Sequence, residues 1–475
     1  MIKTVKYVIV LWAVLAGMVY GLEARFAGMG NISLLYPDEY NKYELYDFAA
    51  IPAALIKYDT VSWLSIRASG LQETWQHDSL KYLAIGQPIP PKLADYIPLE
   101  AASALYTVIP AFSLTPTDFV YSSCQSREKT DDFGNVTKPQ AWRFYGGYGQ
   151  LDRSYIGDAA TDNVKTPAFA AVYARPITEN ITYGLSGDIF YGMFNSADAE
   201  DKATLFPIGG GGGIAYDKGD IAAGVNVEYH YPMFDFSETF GNNTYTESFK
   251  GNAVSPSAGF LVTKKNIKWV SAVNYKWMSL NGRSDTFALG DLTSSGYSAK
   301  TRLLFVPGPV RAAAFIQYDN RTTEYADEQG NLWFDAVYQT YAFGAGTGWG
   351  TKKLTVGLEG GLQINTINNR LDTLSSTSQA LFGKAGLEYA VMKDLYLRGG
   401  YNFDQVDPDL KGSSDRTKTH TVTGGVGLNI ISGMRLDIAY NYRMGKTQLL
   451  PDENITDHIL LVYFRYILKE SSGNF

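Results

Sequence analysis

Residues 381–404 read LFGKAGLEYAVMKDLYLRGGYNFD, two alternating segments that are joined by a short turn. In the second segment one parity holds apolar residues and glycine: Leu395, Leu397, Gly399, Tyr401 and Phe403. The other parity holds polar and charged residues, among them Asp394, Arg398, Asn402 and Asp404. Residues two apart lie on the same face of a β-strand. This stretch therefore predicts a β-hairpin with one apolar face and one charged face.

The same unit recurs from about residue 165 to the C-terminus, and each arm has the roughly 9 to 11 residues that cross a bilayer. Short turns are predicted at 176–180, 217–220, 263–266, 307–309, 350–353, 391–394 and 431–434. Longer polar loops are predicted between the hairpins, at 232–250, 320–333, 407–416 and 446–457. Short turns on one rim, long loops on the other and alternating strands between them are typical of a transmembrane β-barrel.

Two other architectures share part of this pattern. A soluble β-sandwich also alternates, and a seven-bladed propeller would also repeat about every 40 to 46 residues. A propeller blade, however, places four short strands in each repeat, whereas this chain has two long arms per repeat. The repetition of long arms favours the barrel.

The predicted fold is all-β: a transmembrane antiparallel β-barrel of about 16 strands, within a range of 14 to 18, preceded by an N-terminal hatch-like segment. Fifteen alternating runs are counted from Phe169 to the last strand. A run at 142–151 makes sixteen, and runs at 61–71 and 105–114 would make eighteen. Four prolines between residues 88 and 98 make 72–140 irregular. The expected domains are a signal peptide (1–24), a hatch or plug (25–60), the barrel (61–468) and a C-terminal tail (469–475).

The N-terminus has the pattern of a secretory signal peptide. Lys3 and Lys6 precede an apolar run at 7–19, and the small residues Gly21 and Ala24 follow it. A membrane anchor is the alternative, but the run is short for a spanning helix, which needs about 20 apolar residues. The pattern therefore predicts cleavage after Gly21 or Ala24 and export of the chain.

Composition argues against several functions. The net charge is −7 and the basic residues are dispersed, which disfavours nucleic acid as a partner. Cys124 is the single cysteine, so the chain can form no internal disulfide, and the four histidines are scattered without the spacing of zinc ligands. The run Gly209–Gly213 lacks the Lys and Ser or Thr of a phosphate loop, and is interpreted as a strand that makes room for bulky neighbours. No catalytic, cofactor-binding or metal residues are predicted, and the chain is not expected to be an enzyme.

Two N-terminal pieces resemble a known family. Residues 24–30 read ARFAGMG, and residues 51–55 read IPAAL. Together they resemble the start of the FadL-like superfamily of outer-membrane proteins, with Ile51 where that family usually has Asn. The resemblance implies a barrel of about fourteen strands plugged by a movable N-terminal hatch. The corresponding hatch candidates are Phe26, Gly28, Met29, Gly30, Asn31 and Pro52.

Two groups of side chains are candidates for contact with a transported molecule. Aromatic residues in the predicted loops are expected at the barrel mouth, either as a capture site or as loop packing: Phe234, Phe236, Phe240, Tyr245, Trp333 and Phe334. Charged residues of inward parity are expected to line the lumen, most simply as a stiffening charge ladder: Glu228, Arg302, Glu359, Lys384, Glu388, Arg398, Arg435 and Asp437. On this basis Leu397→Arg, on the lipid face, should cost about 2–4 kcal/mol if that position lies near the middle of the membrane, and Arg398→Leu should be milder.

The predicted function is passive transport of small hydrophobic molecules, of the fatty-acid or aromatic-hydrocarbon type, across the outer membrane of a Gram-negative-type bacterium. The alternatives are a non-transporting PorV-like barrel that binds secreted proteins, and a general diffusion porin. The expected partners are outer-membrane lipid and a small hydrophobic ligand, with a protein partner in the PorV-like alternative. The substrate is left open by the sequence.

Overall fold

The computed structural model describes residue 29 and residues 62–468, apart from gaps at 78–79, 87–114, 126–128, 131–135, 138–139, 149, 156–160, 166, 196–201, 241–242, 285–289, 328, 372–374, 410–415 and 448–452. Within these residues the regular structure is entirely β-strand. No helix among the described residues is long and apolar enough to cross a membrane.

The strands run in chain order as follows: β1 Ser62–His77, β2 Leu80–Gly86, β3 Thr115–Gln125, β4 Lys129–Thr130, β5 Val136–Thr137, β6 Gln140–Gly147, β7 Gln150–Tyr155, β8 Thr161–Lys165, β9 Ala168–Pro176, β10 Ile181–Phe190, β11 Gly192–Asn195, β12 Lys202–Leu205, β13 Ile208–Lys218, β14 Ile221–Tyr231, β15 Met233–Phe240, β16 Asn243–Lys264, β17 Ile267–Ser284, β18 Asp291–Phe305, β19 Val310–Ala326, β20 Leu332–Gly350, β21 Leu354–Asn369, β22 Ser375–Met392, β23 Leu395–Asp409, β24 Thr417–Ile431, β25 Met434–Thr447 and β26 Glu453–Leu468. The small pair β4–β5 forms a separate sheet.

The remaining strands pair in antiparallel fashion around a barrel wall. From β16 to β26 each strand pairs with the next in sequence. The last strand, β26, pairs with β1 from Ser62↔Leu468 to Gln76↔Asn454. From β1 the pairings continue through β3, β6, β9, β10, β13 and β14 back to β16. This succession of pairings returns to its starting point.

The strand count differs from the prediction. The large sheet contains 24 strands in the described part of the chain, above the predicted range of 14 to 18. The excess arises because six neighbouring wall positions each hold two consecutive segments: β2 with β3, β6 with β7, β8 with β9, β10 with β11, β12 with β13, and β14 with β15. The pairings therefore place the 24 strands at 18 wall positions.

These interruptions form one seam across the wall, at nearly the same height in all six positions. Pro167, Pro207 and Pro232 lie in it, between β8 and β9, β12 and β13, and β14 and β15. Proline has no N–H to donate to a strand ladder, so each of these prolines removes one ladder hydrogen bond at the seam. Backbone bonds such as Tyr191 N to Pro167 O, at 2.9 Å, still connect neighbouring positions across the seam. Sequence periodicity could not show that six breaks coincide.

The wall has an apolar outside and a polar inside. Leu397 and Tyr401 of β23 are exposed on the outer face, whereas Arg398 and Asn402 are buried on the inner face. Exposed apolar side chains continue around the outside, for example on β17 at Trp269, Val273, Tyr275 and Trp277. This inverted arrangement is the one expected of a barrel whose outer face is solvated by lipid. The predicted parity of the 381–404 hairpin is confirmed.

All seven predicted short turns are confirmed, and they lie on one rim together with Ser62 and Leu468; we call this the short-turn rim. Two predicted loops are wrong on the opposite rim. Residues 232–250 form β15 and the first part of β16, and most of 320–333 belongs to β19 and β20. The composition is polar there, but the residues still alternate and pair as strands.

Several predictions concern residues outside the described part of the chain: the signal peptide, the tail, the strand at 105–114 and the hatch segment except Met29. The Met29 side chain is fully buried. The prediction that 72–140 is irregular is wrong for β2 and β3, which pair with β1 and together fill one wall position.

Candidate functional site

An apolar cluster lies on the inner face of the wall, toward the rim opposite the short-turn rim. Its buried members come from seven strands: Phe190, Ala203, Leu205, Phe234, Phe236, Phe249, Met278, Leu280, Leu292 and Tyr325. Partly buried Ala168, Ala253 and Phe334 pack against them. We call this set the inner apolar cluster.

The face that carries apolar residues changes along single strands. On β17 the outward side chains up to Trp277 are apolar except for Ser271. Beyond Trp277, Asn281 and Arg283 are exposed outward, while Met278 and Leu280 are buried inward. Tryptophan prefers the boundary between the lipid and water. The wall therefore extends beyond the lipid, where its outside becomes polar and its inside apolar.

The inner apolar cluster includes part of the set that the sequence had placed in mouth loops. Phe234 and Phe236 lie on β15 and are buried in the cluster, and Phe334 on β20 packs against it. The Phe234 and Phe249 rings are 6.3 Å apart, and the Phe249 and Tyr325 rings 6.5 Å. Tyr245 lies on β16 and is half-buried. Phe240 and Trp333 lie on β15 and β20, with side chains outside the described part of the structure.

A charged network lies on the inner face near the short-turn rim. Arg398 of β23 donates from Nε to Oε2 of Glu388 on β22, at 2.7 Å. Its Nη1 lies 2.6 Å from Oδ1 of Asp437 on β25, two strands away. Arg435 donates from Nε to the other oxygen of Asp437, at 2.8 Å. Two guanidinium groups and two carboxylates therefore compensate each other across four strands.

Gly427 makes room for the contact between Arg398 and Asp437 across β24. It lies on β24, directly opposite Asp437, between the strands of Arg398 and Asp437. A Cβ atom at this position would lie 2.5 Å from Oδ1 of Asp437 and closer still to Nη2 of Arg398. The absence of a side chain at Gly427 thus leaves the space in which the ion pair forms.

Gly427→Ala is therefore expected to destabilise the barrel by about 1–2 kcal/mol, because the added methyl group displaces a well-packed ion pair. Urea-induced unfolding, followed by tryptophan fluorescence, measures the change. Gly424→Ala on the same strand is the matched control, since a Cβ there meets no atom within 4 Å. Equal midpoints for the two variants would contradict the assigned role of Gly427.

The glycine run of β13 also makes room for a side-chain contact, on the other side of the barrel. His230 of β14 reaches across Gly209, with Nε2 3.0 Å from Oδ1 of Asp188 on β10. A Cβ on Gly209 would lie 2.6 Å from that ring nitrogen. The interpretation of Gly209–Gly213 as a strand that makes room for its neighbours is confirmed.

The structure places all eight predicted lumen charges on the inner face of their strands. Glu388, Arg398, Arg435 and Asp437 form the network described above. Glu359 is buried, and Glu228, Arg302 and Lys384 are half-buried on other strands. Their contact with a transported molecule stays a prediction. Among the described residues, no three His, Cys, Asp or Glu side chains are grouped so that they could hold a metal ion.

Residues that the sequence did not single out complete the inner apolar cluster. Phe190, Leu205, Leu280 and Leu292 read as ordinary strand residues, and strand register alone places them beside Phe234 and Phe249. The signal that could have identified them is the loss of outward apolar residues after Trp277.

No protein-family model matches the sequence, and no curated protein matches it. Several solved structures are similar in shape. A FadL homologue from Pseudomonas aeruginosa is 12% identical, with a TM-score of 0.39, 95% of this chain covered and 99% of that one. The Ralstonia pickettii toluene transporter TbuX is 10% identical, with a TM-score of 0.40 and coverage of 95% and 100%. The copper transporter OprC is 9% identical, with a TM-score of 0.45 and coverage of 86% and 81%.

These similar structures include the FadL type that the N-terminal motifs resemble. At such identities and TM-scores they carry no argument about what this chain binds or transports. The chain's own strand pairings and exposed belt show a transmembrane antiparallel β-barrel.

Proposed function

We propose that this protein is an outer-membrane barrel through which small hydrophobic molecules pass by diffusion. The observation that carries the proposal is the inner apolar cluster. Water-filled barrels line their interior with polar side chains, yet here phenylalanine and leucine side chains from adjacent strands gather on the inner face. Their position beyond the lipid belt suits capture of an apolar molecule before it reaches the membrane.

The cluster also suggests which molecules are bound. Each Å² of apolar surface that leaves water contributes about 25 cal/mol, so a small aromatic or aliphatic molecule gains most of its affinity from burial alone. The rings of Phe234, Phe249 and Tyr325 contact one another in tilted and edge-on arrangements, and aromatic ligands prefer contacts of the same kinds. Such binding supplies no energy for uphill transport, so net movement follows the concentration gradient.

Orientation follows from the two rims. Both ends of the wall, Ser62 and Leu468, lie on the short-turn rim. An exported chain whose first 24 residues act as a signal peptide would place that rim in the periplasm, as in other bacterial barrels. The inner apolar cluster would then lie toward the cell exterior.

A general porin is the second candidate, and the charged network near the short-turn rim favours it. Charged inner walls serve as filters in water-filled channels. In this barrel, however, each charge of the network lies within hydrogen-bonding or ion-pairing distance of an opposite charge in the wall itself. Pairing of that kind stabilises the wall and leaves less field to act on a passing ion.

Binding of the fluorescent aromatic probe N-phenylnaphthylamine to the detergent-solubilised barrel tests the proposal. Phe234→Leu combined with Phe236→Leu keeps the interior apolar but removes two rings, and is expected to weaken binding about tenfold. Phe343→Leu, which changes an exposed outward ring, is the matched control and should bind as the unaltered protein does. Equal affinities for all three proteins would contradict capture by the cluster.

A further inference from the structure

Two Tyr–His pairs repeat on the outer face of neighbouring hairpins. Tyr401 Oη lies 2.6 Å from Nδ1 of His420, and Tyr440 Oη is hydrogen-bonded to Nδ1 of His458. The tyrosines begin two similar triplets, YNF at 401–403 and YNY at 440–442, in β23 and β25. The aromatic residue at the third position of each triplet also contacts the histidine. The ring centroids of Phe403 and His420 are 5.2 Å apart, and those of Tyr442 and His458 are 5.0 Å apart.

The two pairs lie at the upper edge of the outward apolar belt. Tyr401, Tyr440, Val422 and Met444 are exposed on this face, as the lipid-facing parity requires. Register places His420 directly opposite Met444, and His458 directly opposite Tyr442. Both histidines therefore face outward, close to the rim opposite the short-turn rim.

Basic side chains occupy the next outward positions toward the rim opposite the short-turn rim. Lys418 and Lys446 lie directly opposite one another on β24 and β25, with the same outward parity as His420 and Met444, and both are exposed. Arg416 is next along the chain and is hydrogen-bonded to Asp407. Like charges placed directly opposite each other across a sheet repel. The pairing therefore places two exposed ammonium groups side by side at this rim.

We propose that this face binds the phosphate of an anionic membrane lipid. We call it the rim patch and define it by Lys418, Lys446, His420 and His458. Lipid phosphates lie at the boundary between the apolar belt and water, which is the height of these four residues. Basic side chains at that level attract anionic headgroups, and the exposed Val422 and Met444 below would contact the acyl chains.

The Tyr–His pairs have a specific part in this site. When the tyrosine hydroxyl donates to Nδ1, the proton of the neutral imidazole lies on Nε2, which becomes a hydrogen-bond donor. The hydrogen bond holds the ring orientation in either tautomer, and in this one it directs the Nε2 proton away from the tyrosine. Such a donor below the two lysines can bind an acceptor oxygen of a phosphate group.

Native mass spectrometry of the purified barrel, titrated with phosphatidylglycerol or phosphatidylcholine, tests the proposal. The unaltered protein should bind phosphatidylglycerol more tightly, and raised salt should weaken that binding. Lys418→Gln combined with Lys446→Gln should weaken phosphatidylglycerol binding about tenfold and leave phosphatidylcholine binding unchanged.

The matched control is Lys250→Gln combined with Arg283→Gln, which removes two exposed outward charges from the same rim on β16 and β17. It should change phosphatidylglycerol affinity by less than about twofold. Equal losses for the two double variants, or no loss for either, would overturn the proposal.

Discussion

Replacing Arg398 with leucine is expected to lower the free energy of unfolding by about 3–5 kcal/mol. The Arg398 side chain is fully buried and contacts carboxylates on both sides, Glu388 at 2.7 Å and Asp437 at 2.6 Å. Leucine would leave both carboxylates buried with less compensating charge, and burial of an uncompensated charge costs far more than loss of a surface pair. Urea-induced unfolding in detergent or lipid vesicles measures the change.

Arg435→Leu is the matched control because it removes a charge from the same network. The Arg435 side chain is 18% exposed, and Asp437 keeps Arg398 as a partner in this variant. We expect a loss of about 1 kcal/mol. If Arg398→Leu unfolded at the same urea concentration as the unaltered protein, the network would have no structural role and its charges would be available to a passing solute.

The second large effect is expected at the outer face. Val273 on β17 is 55% exposed and lies midway between Trp269 and Trp277. Because tryptophans mark the two membrane boundaries, Val273 lies near the middle of the lipid. Val273→Arg should therefore cost about 2–4 kcal/mol and impair assembly.

Asn274→Arg tests the same strand on its inner face. Asn274 shares hydrogen bonds of 3.3–3.4 Å with Ser255 on β16. The substitution gives up this contact, worth about 1 kcal/mol, but keeps the new charge out of lipid. The yield of folded barrel, read from its heat-dependent gel mobility, compares the two variants. A lower yield for Asn274→Arg than for Val273→Arg would mean that the faces are assigned the wrong way round.

The structure also changes an expectation about neighbouring residues. From the sequence, Leu397→Arg should be more damaging than Arg398→Leu. Leu397 lies only two residues beyond the start of β23, near the short-turn rim, where an arginine costs about 0–1 kcal/mol. Since Arg398 is buried between two carboxylates, the expected order is now the reverse, although the predicted faces are correct.

The alternating pattern was sufficient to predict the hairpins of the membrane-spanning wall. Strands β22 and β23, their connecting turn and the faces of Leu397 and Arg398 all follow from a period of two. A residue in lipid and a residue in a polar lumen differ so strongly in solvation that the pattern is clear wherever the wall crosses the bilayer.

Beyond the lipid the same argument fails. The outside of β15 is in water, so Asp235 and Ser237 alternate with the inward Phe234 and Phe236, and the segment resembles a polar loop with scattered aromatics. The Arg398–Asp437 ion pair was also missed. It depends on the strand register, which places Gly427 between the two side chains. Register across a barrel is a property of pairing, which a single sequence does not state.

The most direct test of the proposed function compares flux and conductance in the same liposomes and planar bilayers. We expect the reconstituted barrel to speed entry of a labelled small aromatic hydrocarbon, with Phe234→Leu combined with Phe236→Leu reducing the rate and Phe343→Leu leaving it unchanged. Planar bilayers should show no large, persistent ion conductance. A steady porin-like conductance without hydrocarbon flux would contradict the account and identify the barrel as a water-filled channel.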